Sequence, residues 1–263
     1  MTTAYIASGL LVGFLVGLTG VGGGSLMTPL LVFLFGFAPK TAVGTDLLFA
    51  AITKGGGVLV HHGKHRSVEW KIVFQLGVGS IPAAVGVIYL LENVVDQDES
   101  LAALITNALG VALIFTALSL IVRSVLARKS RASAARRFGH GERFGRWQAF
   151  LTVLVGVFLG VLVTLSSVGA GALGTVALLF LYPRLETVRI VGTDLAHAIP
   201  LTAVAGLGHL HMGNVDFNLL GSLLIGSLPG IYIGSHLSAK IPEKFLRPVL
   251  ASVLLLIGFK FVA

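Results

Sequence analysis

Four ionisable side chains, Asp46, Lys54, Asp194 and His197, fall inside long apolar stretches of this 263-residue chain. Ionisable groups within membrane-length segments are expensive and commonly mark ion or proton pathways. The two acids share a local sequence, Val43-Gly44-Thr45-Asp46-Leu47 and Val191-Gly192-Thr193-Asp194-Leu195. Two chemistries fit them. A carboxyl group held away from water can gain and lose a proton in each cycle of a transporter, whereas an Asp beside a helix start can accept backbone N–H bonds as a cap. His197 follows Asp194 by one helical turn and is the best-placed histidine for a proton relay. Lys54 lies eight residues beyond Asp46, about 12 Å along a helix and about 80° round it, so these two are not expected to pair directly. It reads as a counter-charge for an anion in a watery cavity or as a side chain snorkelling to the membrane surface.

Two segments of small residues could hold that anion. Gly20-Val21-Gly22-Gly23-Gly24-Ser25 and Ser166-Ser167-Val168-Gly169-Ala170-Gly171 each separate a pair of short apolar runs, where a helix is easily interrupted. A helix restarting after such a break presents unpaired N–H groups and the positive end of its dipole, which suits a negative ligand. Candidate substrate contacts are therefore Thr19, Gly22, Gly23, Gly24 and Ser25 in one half and Ser166, Ser167, Gly169, Ala170 and Gly171 in the other, with Thr45, Thr193 and Lys54. The first segment lacks the Lys-Ser/Thr of a phosphate loop, so a nucleotide site is set aside. His61, His62, His65, His209 and His211 have no carboxylate or cysteine at ligand spacing. They read as interfacial residues beside Lys64 and Arg66, and neither a metal nor a cofactor is expected.

The elements that must position these residues are membrane helices. The chain is 55% hydrophobic and 11% charged, well short of the ~25% charge of a soluble domain. It has no cysteine, which excludes disulfides and thiolate metal sites. Ten apolar runs occur, at 4–18, 26–37, 42–60, 70–91 and 101–122, then 149–165, 171–182, 187–208, 217–239 and 246–262. A crossing needs about 20 apolar residues, so the last three runs of each set qualify, and the first two of each are short. The sets resemble each other: Val21-Gly22 aligns with Val168-Gly169 and Gly79-Ser80-Ile81-Pro82 with Gly226-Ser227-Leu228-Pro229 at an offset of 147, and the Thr-Asp pairs at 148. Pro29, Pro82, Pro200 and Pro229 are expected at kinks or half-helix starts. Met1-Thr2-Thr3-Ala4-Tyr5 has no positive n-region and reads as the start of the mature chain.

Charge orients the two sets. The formal charge of +8 comes from one stretch, Arg123 to Trp147, which holds eight Lys/Arg and one acid and leaves 11 basic and ten acidic residues elsewhere. A basic loop between apolar runs belongs on the cytoplasmic side, so nucleic-acid binding is not expected. The loop reads as a solvated linker, with an amphipathic segment on anionic lipid as the alternative. If each short pair starts and ends on one side, 16 basic residues fall inside and two, Lys40 and Lys260, outside, with the acidic run Glu92, Asp96, Asp98 and Glu99 also outside. If each pair crossed once, Arg184, Arg189, Lys240, Lys244 and Arg247 would move outside and the imbalance would shrink. The first topology has an odd number of crossings per half, which inverts one half relative to the other. The chain is thus expected to be an all-α polytopic membrane protein of two inverted repeats of about five segments, 1–122 and 148–263, joined by a basic cytoplasmic linker, 123–147.

Gly20-Val-Gly-Gly-Gly-Ser-Leu-Met-Thr-Pro29, Ala42-Val-Gly-Thr45, the duplication and the basic central loop together resemble the sulfite exporter TauE/SafE family of membrane permeases, over about Gly9 to Val262. The resemblance implies transport of sulfite or an organosulfonate such as sulfoacetate across a bacterial or archaeal inner membrane. On this reading the chain is a secondary transporter of a small anion by alternating access with proton coupling, and its partners are that anion and the lipid bilayer. A passive anion channel and a non-transporting scaffold or receptor are the alternatives. A membrane enzyme is disfavoured, because there is no cysteine, no paired zinc motif and no Gly-x-Ser-x-Gly elbow. The topology predicts that single cysteines placed at Arg184 and Lys244 in intact cells react only with thiol reagents that enter the cytoplasm; labelling by an impermeant reagent would overturn the inverted arrangement.

Overall fold

A computed structural model describes residues 2–19, 24–65, 68–93, 99–133, 145–238 and 243–262. Among them are ten helices and no strand: α1 (Thr2–Thr19), α2 (Gly24–Phe33), α3 (Pro39–His65), α4 (Trp70–Asn93), α5 (Glu99–Ser133), α6 (Gly145–Ser166), α7 (Leu173–Leu181), α8 (Thr187–His211), α9 (Phe217–Ser238) and α10 (Glu243–Val262). Each apolar run has become one helix. In lipid a chain must satisfy its N–H and C=O groups internally, and a helix does this with local bonds alone. Phe74, Ile225 and Leu256 are among the large apolar side chains left exposed on the outside of the bundle, a surface suited to hydrocarbon rather than water.

Five stretches are long and apolar enough to cross a membrane among the described residues: Trp70–Asn93, Ser100–Val122, Trp147–Ser166, Thr187–His211 and Phe217–Gly234. One departs from expectation. The first segment of the second half was expected to be short, yet α6 has 22 residues, about 33 Å at 1.5 Å per residue. Its polar start, Gly145-Arg146-Trp147-Gln148, lengthens the helix beyond the apolar run. The short helices remain short: α2 has 10 residues and α7 has 9, about 15 Å each and half of a ~30 Å hydrocarbon core. α5 continues to Ser133, so the first part of the basic stretch prolongs a helix. The remainder, 134–144, lies outside the described residues. α4, α8 and α9 run through Pro82, Pro200 and Pro229 without ending.

The helices pair across the two halves, and glycine sets how closely. α1 lies along α9 and α4 along α6. A Cβ on Gly226 would meet the Leu10 nitrogen at 2.7 Å, and one on Gly79 the Val157 nitrogen at 2.8 Å. These are the same contact, since Gly226 and Leu10 correspond to Gly79 and Val157 at the repeat offset of 147. Gly9 and Gly13 approach Leu223 and Ser227, while Gly156 and Gly160 approach Leu76 and Ser80. Sequence numbers rise together on both members of each pair, so each runs parallel. The corresponding members α3 and α8 instead run antiparallel, with Gly44 against Asn214 and Gly206 against Leu48. α5 and α10 do the same, Gly110 meeting Phe261 and Val262 while Gly258 meets Ile114. Small residues matter here because lipid gives helices little hydrophobic reason to associate, so close backbone packing must do it.

The long pairs enclose α3 and α8, whose apolar residues Val43, Leu47, Ala198, Leu201 and Ala205 pack with Ala84, Leu91, Leu159 and Val163. This buries the middle of α3 and α8, where all four ionisable residues lie. Gly79→Val and Gly226→Val are predicted to lower stability by similar amounts, about 1–3 kcal/mol each, with Gly221→Ala, which faces open space, unchanged or slightly more stable. Thermal unfolding in detergent micelles reads all three.

Candidate functional site

Asp46 and Asp194 are buried, at 0% and 1% exposure. Each lies seven residues inside its helix, since α3 opens at Pro39 and α8 at Thr187, so neither serves as a helix cap. Each is held by a threonine from the short helix of its own half. Thr28 Oγ1 donates to Asp46 Oδ2 at 2.5 Å, and Thr175 Oγ1 lies 2.8 Å from Asp194 Oδ2. Thr28 and Thr175 stand 147 positions apart, the offset of the Val-Gly and Gly-Ser-x-Pro repeats. Asp194 also packs so closely on Gly174 that any side chain there would strike its carboxylate.

Lys54 does not snorkel. It is 6% exposed, and its Nζ donates to the Ala170 carbonyl at 3.0 Å. The lysine of one half thus reaches the broken segment of the other. Its ammonium interacts electrostatically with both Asp194 and Asp46.

The broken segment of the second half connects all three charges. α6 ends at Ser166, whose hydroxyl receives the Val168 N–H at 3.1 Å and donates to the Leu162 carbonyl at 2.6 Å. Ser167 then takes φ 59°, and Gly169 and Gly171 take φ 112° and 128°, before α7 begins at Leu173. Positive φ is easy for glycine, whereas for serine it costs about 1–3 kcal/mol and persists only where the surroundings enforce it. Ser167 is 2% exposed, its Oγ has no hydrogen-bond partner among the described residues, and its side chain faces the Asp46 carboxyl group. The segment and the first turn of α7 therefore pass Asp46 at Ser167, Lys54 at Ala170 and Asp194 at Gly174 and Thr175. A lone charge left out of water costs several kcal/mol, so a trio of one cation and two acids favours the proton count that brings it near neutrality.

Thr175 adds a connection between proton and backbone. Its Oγ1 lies 2.5 Å from the Gly171 carbonyl as well as 2.8 Å from Asp194. A hydroxyl carries one proton. When Asp194 is ionised, the two acceptors compete for that proton. When Asp194 is protonated, it can donate to Thr175 while Thr175 donates to Gly171. The charge state of Asp194 thus bears on the geometry of the break.

His197 is 1% exposed, and its Nε2 is 2.8 Å from Ser80 Oγ on α4. Its Nδ1 has no partner among the described residues. Thr45 and Thr193 are engaged elsewhere: the Asp216 N–H donates to Thr45 Oγ1 at 3.1 Å and the Glu69 N–H to Thr193 Oγ1 at 3.0 Å. Each threonine so fastens the start of α9 or α4 in the opposite half. His209 donates its Nε2–H to the Thr164 carbonyl at 3.0 Å and is buried rather than interfacial. His211 is exposed beside Glu92 at 3.5 Å. Gly22 and Gly23 lie outside the described residues, and of Thr19, Gly24 and Ser25 only the backbone positions, at the end of α1 and the start of α2, are described. The side chains of His61, His62 and His65 are likewise outside them.

The structure brings together Asp46, Lys54, Ser167, Ala170, Gly171 and Asp194, and adds Thr28, Ser80, Gly174 and Thr175, which sequence reasoning did not assign. Thr28 and Thr175 carried a usable signal, being identical residues at the repeat offset. The site is also asymmetric. Thr202 corresponds to Lys54 and Phe49 to His197, so the cation belongs to one half and the histidine to the other.

Comparison with known proteins agrees with a transporter. The profile of the family described as Sulfite exporter TauE/SafE matches residues 5–261. The probable membrane transporter protein YjnA of Bacillus subtilis is 40% identical over the whole of both chains. The probable membrane transporter protein YdhB of the same organism is 28% identical, covering 94% of this chain and 96% of the relative. A probable membrane transporter protein of Methanocaldococcus jannaschii is also 28% identical, over 96% and 92%. No solved structure matches the chain.

Thr28→Val and Thr175→Val each remove a hydroxyl from a buried carboxyl group without changing volume. Each is expected to destabilise the detergent-solubilised protein by about 1–3 kcal/mol. Equal stability of both variants and the native chain would show that the threonines do not hold the acids.

Proposed function

This chain belongs to the sulfite exporter TauE/SafE family and is a multi-pass membrane protein, and on that premise we infer that it is a secondary transporter of a small anion, working by alternating access with proton coupling. Sulfite or an organosulfonate such as sulfoacetate is the preferred substrate class, on the family's description. The observation that carries the reading is the passage of one broken segment past Asp46, Lys54 and Asp194. Lys54 supplies the attraction for an anion, and Ser167 together with the backbone N–H groups of the break supplies donors for its oxygens. Asp46 and Asp194 would repel that anion when ionised, so they bind protons as it enters. His197, with Ser80 on one ring nitrogen, stands ready to pass a proton along α8.

Alternating access needs two arrangements of similar energy, and an inverted duplication supplies them, since each half can adopt the conformation of the other. What supports the inverted arrangement is that the corresponding pairs α3 and α8, and α5 and α10, run antiparallel, while α1 with α9 and α4 with α6 repeat one contact. We take the two halves as 1–122 and 148–263, in a bacterial or archaeal inner membrane, with the basic stretch on the cytoplasmic side in keeping with the distribution of Lys and Arg.

Purified protein in proteoliposomes is expected to take up labelled sulfite, an organosulfonate such as sulfoacetate, or both, in a saturable way, several-fold faster with an inward proton gradient. Flux that neither saturates nor responds to the gradient would identify a passive channel. No flux of either anion would remove the substrate assignment.

A further inference from the structure

We propose that the site accepts only a monovalent anion and takes up one proton with it, so that each transport step moves no net charge. The proposal rests on the anion-transport reading above and narrows its substrate class to species with one charge, such as hydrogen sulfite and alkylsulfonates, which sets the dianion sulfoacetate aside.

The argument is a count of the charges the fold places together. From α3 come Asp46 and Lys54, and from α8 come Asp194, His197 and His209. The elements packed against them contribute Thr28 from α2, Ser80 from α4, Ser167 from the α6–α7 break and Thr175 from α7, none of which is a charged side chain. His209 packs beside Gly44, and its Nε2–H is engaged by the Thr164 carbonyl. Among the described residues one lysine therefore faces two acids. According to whether two, one or neither acid is protonated, the trio carries +1, 0 or −1. Without substrate it is neutral with one acid protonated. A monovalent anion settling beside Lys54 restores neutrality when the second acid takes a proton. A divalent anion leaves an excess negative charge even when both acids are protonated, and uncompensated charge out of water is strongly unfavourable.

Ser167 is the second observation that points to a ligand. It is 2% exposed, adopts a backbone conformation unusual for serine, and turns its hydroxyl to the Asp46 carboxyl group without closing a hydrogen bond of ordinary geometry. An oxyanion with one charge, such as an alkylsulfonate or hydrogen sulfite, matches one ammonium and the Ser167 hydroxyl, which a protonated Asp46 no longer draws as an acceptor. No covalent bond to the anion forms or breaks. The single chemical event is protonation of an Asp carboxylate as the anion enters and loss of that proton as it leaves.

The test compares two anions of similar size and different charge in proteoliposomes of the full chain: isethionate with one charge and sulfoacetate with two. Potassium with valinomycin sets the membrane potential, independently of the pH gradient. Isethionate uptake is expected to follow an alkaline lumen, to be indifferent to the potential, and to exceed sulfoacetate uptake by about tenfold or more. The double substitution Asp46→Asn with Asp194→Asn fixes the trio at +1. It is expected to turn pH-driven uptake of isethionate into uptake driven by the potential and insensitive to pH. Potential-driven flux in the native protein, or sulfoacetate carried as well as isethionate, overturns the proposal while leaving anion transport intact. So does a double variant that still follows the pH gradient. Sulfoacetate uptake at acidic pH that disappears in His197→Gln assigns a second positive charge to His197 and overturns it too. If the double variant does not fold, the charge movement of the native protein decides alone. Absence of flux for isethionate, sulfoacetate and sulfite together overturns the transport reading and this proposal with it.

Discussion

A lysine ammonium bound to a peptide carbonyl in the interior of a membrane protein is the interaction on which the rest of this structure turns. Lys54 reaches the Ala170 carbonyl with its charge inside the bundle and away from water. A cation in that position is tolerable only with negative partners and hydrogen-bond acceptors around it. The acceptor exists because α6 and α7 are separated by a break that frees a carbonyl from helical bonding. The negative partners exist because α3 and α8 each place an aspartate in their third turn. Removing any of these would leave the others with an uncompensated group, so the broken helix, the two acids and the lysine are physically one unit.

That unit depends on how tightly the surrounding helices close. The α1–α9 and α4–α6 pairs approach to backbone contact at glycines and form two walls with repeated geometry. α3 and α8 lie between these walls, and their threonines, Thr45 and Thr193, fasten the starts of the wall helices α9 and α4 in the opposite half. The same residues that open the Thr-Asp motifs therefore divide the work. The threonine sets the position of a neighbouring helix, and the aspartate next to it faces inward. A scaffold with this repetition can carry an asymmetric interior, since Lys54 and His197 have no like-for-like counterpart in the other half.

Much of this was legible in the chain. The ten apolar runs became the ten helices, because a segment with no water to bond must bond to itself. The interruption after Ser166 was legible because glycine lets the backbone leave the helix, and Gly169 and Gly171 indeed sit at positive φ. The repeat directed attention to Asp46 and Asp194 before any coordinates. What escaped was instructive. Thr28 and Thr175 were as well repeated as the aspartates, yet a threonine in an apolar helix most often bonds to its own backbone, as Thr164 does with the Gly160 carbonyl. Nothing local separates that use from a bond to another helix. The length of α6 was misjudged for a related reason: its first turn is polar, and a helix can begin outside the hydrocarbon, where hydropathy carries no signal.

The sequence by itself determined how many helices the described residues form, where one must break and which ionisable residues fall inside apolar segments. Each of these follows from local composition interacting with lipid and water. Only the tertiary structure decided that Lys54 meets Ala170 across 116 positions of chain, that one segment passes Asp46 and Asp194 in turn, and that Thr45 and Thr193 face helix starts rather than substrate. Those outcomes depend on which helix lies beside which and at what height. Close packing of small residues far apart in the chain sets both, and no local pattern encodes them.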